Sequence, residues 1–571
     1  MSTRASQLLR QLERLKLTFD SRSRRQIERS LKRLGRESIV DAVSLITLHE
    51  LLLFLRAYPQ STAIVNETES LLREFVRRVQ DAAAQDEDLS PLDHPELSGI
   101  AGRLVADTFS YYIVRGLVAR YPRQVAFFWE WFEDENRLGQ SWPRFMPLLE
   151  EDAFVEANIP YRSWLRAARG KETELGWLIR RFEKLPIEGA AKAELYDSQK
   201  LYVEWTPSYR ATRTGMRLPP HLRSTKTFYH REPLLQRRDI SFADELSTKS
   251  LTLKRLTKRE GETVLDLARD ASTVRYRELY GFTHGDPARV IKAPLGRGVD
   301  LFVTSLPSHA RLPLRAYHSA IIFKNQVPVG YFEGLSLFER MESGFNLYYT
   351  FREGETAWLY ANTLTVMRQL LRVTTFVLDP YQIGFENEEG IESGAFWFYR
   401  KLGFRPTAQR LQKLAESEEE KIRQRKNYRT PAGTLRKLAA SPMVFELDRK
   451  RVGDWDRFQI REIGFAVQRE MARRFGSTAS EMRSEGVRFA ERLLKSSTSH
   501  LAEPAKEVFS NFGIILLLIP DIEEWSREEK QMLLRIIQAK ASGEESRYLR
   551  LMQKHERFRA SIINLGSTPN D

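Results

Sequence analysis

Apolar residues recur three and four apart through the first third of the chain. Examples are "IVDAVSLITLHELLLFLRAYP" (Ile39–Pro59) and "ESLLREFVRRV" (Glu69–Val79). That spacing lays one apolar stripe along an α-helix, and Pro or Asp/Ser clusters divide the segments. Residues 1–185 are therefore expected to form an N-terminal helical domain. The aromatic run "VAFFWEWFE" (Val125–Glu133) reads as a core-filling part of it. From about 186 to 255 the period changes. "LYVEW" (Leu201–Trp205) alternates as a strand does, and Pro, Thr and Arg follow it without helical period. This predicts a short strand and a long extended arm, a length of loop that is uncommon unless it functions or wraps another domain.

Residues 256–450 mix both periods. A helix is expected from about Glu262 to Tyr280, then a strand in "GVDLFVTSL" (Gly298–Leu306). Three β-type runs follow, "HSAIIFK", "VPVGYFEGLSLF" and "GFNLYYTF", with Asn325-Gln326 and Glu342–Gly344 at the junctions. They predict an antiparallel meander. Ala357, Tyr360, Leu364, Met367 and Leu371 share one face of the next helix. "TTFVLDP" reads as a strand, "GIESGAFWFYRKLG" as a helix and "FRP" as the start of another strand. A charged helical excursion intervenes before "PMVFELD" resumes β character. Residues 451–571 are helical again. The expected fold class is α/β: a central mixed-sheet domain between N- and C-terminal α-helical regions.

Composition narrows the chemistry. The 571 residues include no cysteine, which excludes disulfides, thiolate metal ligands and a cysteine nucleophile. The most apolar run, "FGIILLLIP" (Phe512–Pro520), is far shorter than the roughly 20 residues that span a bilayer. The charged N-terminus lacks a signal-peptide core, so a cytoplasmic protein without a membrane partner is expected. The nearest histidine pairs, His221/His230 and His309/His318, lack metal-ligand spacing, and no metal is expected. The net charge of +14 raises the question of nucleic acid, and residues 1–40 hold much of the excess. Their arginines fall among Leu, Ile and Glu at helical spacing, which favours a solvated helix face over a binding surface.

One stretch carries a sharper signal. "AFWFYRKLGF" (Ala395–Phe404) resembles the Ala-x-x-x-Tyr-x-x-x-Gly-Phe ending of GNAT acetyltransferases, and the order of elements around it is similar to theirs. The resemblance covers residues 256–450, about a third of the chain. It implies acyl-CoA as substrate, an amine acceptor and direct attack on the thioester. It implies a fourth strand splaying from a fifth, with pantetheine between them. Tyr399 then corresponds to the general acid that protonates the departing thiolate. The segment Arg352, Gly354, Glu355, Thr356 and Ala357 corresponds to the loop and helix start that receive the donor's pyrophosphate. Asn387 corresponds to a side-chain contact with the pantetheine arm. Glu353 and Glu355 also read as first-turn acids that satisfy the helix dipole by themselves. For a general base the candidates are Glu333, a carboxylate inside an apolar strand, and Asp379 at a strand end; a structural ion pair accounts for Glu333 equally well. Two other readings stay open. One is a non-catalytic binding or scaffold protein of the same fold, engaging RNA or an acidic partner through the basic N-terminal region. The other is an acyl or aminoacyl transferase fed by a carrier protein or aminoacyl-tRNA.

Overall fold

The structure, a computed structural model, describes residues 3–132, 135–146, 161–224, 226–248 and 250–567. Its centre is a nine-stranded mixed sheet. Three short strands form a separate sheet: β1 (Val105–Asp107), β2 (Val125–Phe127) and β3 (Val203–Trp205), with β3 in the middle. Up to its last residue, Glu133, which lies outside the described residues, the helical reading of the aromatic run therefore gives way to a 3₁₀ turn, Trp129–Trp131, and a strand, Val125–Phe127. Local periodicity missed it because its partner, β3, lies some eighty residues along the chain. Around this small sheet Trp142, Trp177, Phe182, Tyr196 and Trp205 make a core of their own.

The large sheet takes β4 (Lys254–Arg255), β5 (Ile291–Gly296), β6 (Val299–Ser305), β7 (Ala316–Lys324), β8 (Val327–Leu337), β9 (Arg340–Leu347), β10 (Thr375–Leu378), β11 (Arg405–Pro406) and β12 (Met443–Glu446). Their spatial order is β11-β12-β10-β9-β8-β7-β6-β5-β4. Every neighbouring pair is antiparallel except β9 and β10, which the helix Thr356–Leu371 connects. The strand "PMVFE" does join the sheet across the charged excursion, pairing with both β10 and β11. β7 is buried along its whole length, so both sheet faces are covered. Phe302, Ile321 and Phe323 lie under the helix Lys258–Thr273, while Leu301, Val303, Ala320 and Ile322 face the other way. That second face shares one continuous apolar core with Leu45, Leu52 and Phe54 of the N-terminal helices and with Phe512, Ile536 and Leu549 of the C-terminal ones.

Local chemistry explains most element ends. The helix Lys258–Thr273 opens with a capping box: Thr257 Oγ1 accepts from Glu260 N–H, and the Glu260 carboxylate accepts from Thr257 N–H at 2.9 Å. It stops at Thr273, short of the expected Tyr280, and Arg275 then lies buried with its guanidinium 3.7 Å from the centre of the Tyr348 ring. Asn325 and Gln326 have φ of +46° and +72°, the left-handed pair that a tight hairpin needs. The second hairpin turns at Phe338 (φ +53°) instead of Glu342–Gly344, which lie inside β9. The stretch expected as one helix, Gly390–Gly403, is two: Glu388–Glu392 and Ala395–Arg400, broken at Gly394 with φ of +68°.

The arm between the small sheet and β4 threads between regions. Arg213, Thr214, Met216 and Leu218 are buried, and Leu218 N–H donates to Gln326 O at 2.8 Å. No helix among the described residues is long and apolar enough to cross a membrane.

Candidate functional site

β9 and β10 run in parallel for three residue pairs, Arg340/Thr375, Met341/Phe376 and Glu342/Val377. β10 then ends at Leu378, while β9 runs on to Leu347. Beyond Glu342 that edge of β9 has no strand partner among the described residues, and a cleft of about 650 Å³ opens there. Phe345, Asn346 and Leu347 form one wall, and Arg352 and Thr356 at the start of the helix Thr356–Leu371 close one end. Five residues named from sequence meet on this cleft: Tyr399, Glu333, Arg352, Thr356 and Asn387.

Glu333 comes from β8, opposite Ser319 on β7 and Gly344 on β9. A Cβ at Gly344 would meet nothing closer than Gln382 Nε2 at 3.8 Å, so the flank of Glu333 stays open. Its carboxylate accepts a hydrogen bond from the Tyr317 hydroxyl, which itself accepts from Gly281 N–H at 3.2 Å. Burial raises the Glu333 pKa above the ordinary carboxylate range, with the Tyr317 bond opposing it. A carboxylate that has lost part of its water and keeps one donor is a stronger base than a solvated one.

Tyr399 sits on the short helix Ala395–Arg400. Its ring is packed edge-on against Tyr360 and Phe404, at centroid distances of 5.5 and 5.8 Å. The hydroxyl has no hydrogen-bond partner among the described residues, and burial pushes the phenol's pKa up. The ring is therefore core, and the hydroxyl is a neutral donor available to the cleft.

The remaining named residues are already engaged. Arg352 donates through Nε to Leu347 O at 3.2 Å and pairs with Glu389 on the facing wall. Thr356 Oγ1 donates to Arg352 O at 2.9 Å. Asn387 caps the helix Glu388–Glu392: its Oδ1 accepts from Gly390 N–H at 3.2 Å and its Nδ2 donates to Tyr381 O at 2.9 Å. It shapes the cleft's rim through these two bonds. Asp379 likewise caps the turn after β10, accepting from Tyr381 N–H at 2.9 Å, and does not line the cleft.

Gly354, Glu355 and Ala357 also lie off the cleft wall. A Cβ at Gly354 would stand 2.3 Å from Tyr58 Oη, so the glycine admits a tyrosine from the N-terminal region. Glu355 is fully buried and pairs with Lys324 at 3.1 Å and with Arg297. Burial acts to raise its pKa, but the two cations hold it below the ordinary range. Lys324, buried beside it, is pushed down to about 8 by desolvation. Glu353 pairs with Lys16 at 2.5 Å. Both acids of the loop thus bind cations from other parts of the chain, and only the Arg352–Thr356 side of the helix start faces the cleft.

Sequence reasoning missed two features. Tyr317 becomes the partner of Glu333 only through strand register. Arg277, Glu278 and Leu279 line the cleft and also a second one of about 900 Å³, between the helices Tyr111–Arg120, Glu174–Glu183 and Lys258–Thr273. Among the described residues no three His, Asp or Glu side chains gather as a metal-binding group. No protein-family model matches the chain, and neither a curated protein nor a solved structure matches it.

Proposed function

We propose that residues 256–450 are a GNAT-type N-acyltransferase domain that moves an acyl group, acetyl in the simplest case, from acyl-CoA to an amine. The observation that carries this reading is the parallel pair β9 and β10, which part after three residues around a cleft that holds both Tyr399 and Glu333. The sheet order β9-β10-β12-β11, with β10 and β12 antiparallel, supports it further.

In this reading the pantetheine arm lies along the open edge of β9, where backbone N–H and C=O groups are free of a strand partner. The phosphates lie toward Thr356 and the positive end of a 16-residue helix. Arg352 exchanges Glu389 for a phosphate oxygen. The acceptor enters from the larger cleft, past Arg277 and Leu279. Glu333 takes the proton of the attacking amine as the C–N bond forms. The C–S bond breaks, and Tyr399 gives its proton to the departing thiolate.

Calorimetry with CoA and acetyl-CoA tests the donor half. Micromolar to millimolar binding is expected, weakened several-fold in Arg352→Ala. With an acceptor in hand, Tyr399→Phe is expected to lower turnover about 10²-fold while leaving acyl-CoA affinity and melting temperature unchanged, since Phe keeps the packing. Absence of CoA binding by the wild type would replace this reading with a non-catalytic scaffold of the same topology. Near wild-type turnover in Tyr399→Phe would remove the tyrosine from the chemistry.

A further inference from the structure

Half of the chain's net charge of +14 sits in its first forty residues, which hold eleven Lys or Arg against four Asp or Glu. The structure folds them into two packed helices, Thr3–Leu15 and Ser21–Leu34. A groove of about 600 Å³ lies between them, lined by Arg4, Arg10, Arg14 and Arg33 with Gln7 and Gln26, and by no carboxylate. Arg4 reaches Glu37 at 3.3 Å. Arg10, Arg14 and Arg33 are exposed and have no ion-pair partner among the described residues. On the C-terminal helices, by contrast, Arg473, Arg474 and Arg488 each meet a glutamate of their own helix. A solvated helix face of the ordinary kind neutralises itself through such pairs. This one leaves its charge uncompensated on a concave surface, where field lines concentrate.

We propose that this groove docks the phosphate backbone of a nucleic-acid duplex, independently of any acyl transfer. Two observations select that partner. The apolar faces of both helices are consumed by the core, where Ala5, Leu8, Leu9, Leu12, Ile27 and Leu31 are buried. The part-buried Leu15 in the groove and the exposed Leu17 beside it are too little apolar surface to insert into a lipid surface. The only aromatic residue of the segment, Phe19, is also buried, so there is no platform on which unstacked bases of a single strand could lie. The groove's polar lining is cationic and amide side chains, over helices of 13 and 14 residues. At 1.5 Å per residue that is ~20 Å, the rise of about six base pairs. Contacts of this kind position a duplex without reading its sequence.

The test is fluorescence anisotropy of the full chain on 20-base-pair DNA and RNA duplexes between 50 and 200 mM salt. Each phosphate contact contributes about −0.9 to the slope of log K against log salt. The triple variant Arg10→Glu, Arg14→Glu, Arg33→Glu is expected to weaken binding at least about tenfold at 100 mM and to flatten the slope by about 3. Arg410→Glu, Arg461→Glu, Arg469→Glu makes the same change in net charge on exposed sites elsewhere and is expected to leave affinity within threefold. All six positions are solvent-facing, and the Gln versions of the groove triple serve if charge reversal disturbs folding. The proposal is overturned if the groove variants bind like wild type, or if the control triple loses as much. It is also overturned if phosphatidylserine vesicles or polyglutamate are bound more tightly than the duplexes.

Discussion

Glu333 answers to two requirements that pull against each other. A carboxylate accepts a proton better after losing water, yet losing water destabilises its charged form. The Tyr317 hydroxyl and the gap at Gly344 divide the two: one side of the carboxylate is hydrogen-bonded, the other faces the cleft. The consequence for stability has a definite sign. Because burial raises its folded-state pKa, Glu333 holds its proton more tightly folded than unfolded. It adds no penalty below the unfolded value, and its penalty grows as pH rises through the folded one. Glu333→Gln keeps an oxygen for Tyr317 but carries no charge. Its melting temperature is therefore expected to match the wild type near pH 4, to rise above it as pH passes the ordinary carboxylate range, and to keep a constant advantage once the folded carboxyl is ionised. In the proposed acyl transfer, turnover at pH 7 should fall at least about 10²-fold. A variant that melts lower at pH 8 would mean that the carboxylate is a stabilising partner and not a strained base. At this scale the sequence singled out Tyr399 and Glu333, which meet on one cleft, because each stands in a local pattern: a tyrosine before Gly-Phe, a charge within strand alternation. Tyr317 and Arg277 carry no such mark. Their roles arise from strand register and from the packing of two segments that are distant in sequence.

Elements were legible where their cause is local and illegible where it is not. In the large sheet β4 and β5 show no such pattern and are strands through pairing with their neighbours, whereas the other seven strands, β6 to β12, and the helix Thr356–Leu371 follow from period and breakers. β2 does not, since it is a strand only because β3 pairs with it. The Phe338 turn defies turn propensity because β8 and β9 pair in register from Gly330/Leu347 to Leu337/Arg340, which forces the reversal onto the residues that remain. The Asn325-Gln326 turn is the converse case, where local preference and tertiary need agree. Asn325 adopts φ of +46°, and its side chain joins three regions. Its Oδ1 accepts from Phe228 N–H at 2.8 Å; its Nδ2 donates to Ala57 O at 2.8 Å and Phe228 O at 3.0 Å. Asn325→Ala loses these bonds, at about 1 kcal/mol each, and adds left-handed strain of about 1 kcal/mol. Chemical denaturation should show a loss of about 3–4 kcal/mol. Asn325→Gly should lose about 1 kcal/mol less, because glycine keeps the turn and forfeits only the bonds. Equal losses would mean that the turn conformation contributes nothing and that the tether to the arm and the N-terminal helices carries the whole effect.

Across the whole molecule, both helical regions dock on the central sheet through buried imidazoles that must stay neutral. His230, on the arm, lies among Phe19, Tyr58 and Phe228, with no hydrogen bond on either ring nitrogen among the described residues. Burial pushes its pKa down to about 3, and Lys324 acts in the same direction. His318, on β7, faces the C-terminal helices, and burial pushes it down to about 4. Buried Lys540 and Glu545 sit on those helices, with Tyr548 Oη donating to Leu314 O at 2.6 Å. His49 and His555 are lowered by burial as well. The sign follows from where protons bind. Below about 6.5 the unfolded chain protonates these rings while the folded chain does not, so stability falls as pH falls, until the folded-state values near 4 and 3 are reached. Each ring contributes a slope of about 1.4 kcal/mol per pH unit within that window. Carboxylates with depressed pKa, such as Glu50 at about 2, act only below the ordinary carboxylate range. Carboxylates that burial raises above that range, Glu333, Asp197 and Asp270 among them, act with the opposite sign there, so the imidazole contribution is read as a difference between variant and wild type. The imidazole contribution to the unfolding free energy, measured by denaturant, should be flat from pH 8 to 6.5 and fall steeply to pH 4.5. In His230→Leu, His318→Gln the slope should decrease by about 2–3 kcal/mol per pH unit. An unchanged slope would mean that these two rings are hydrated in solution and that the docking of the helical regions does not exclude water from them.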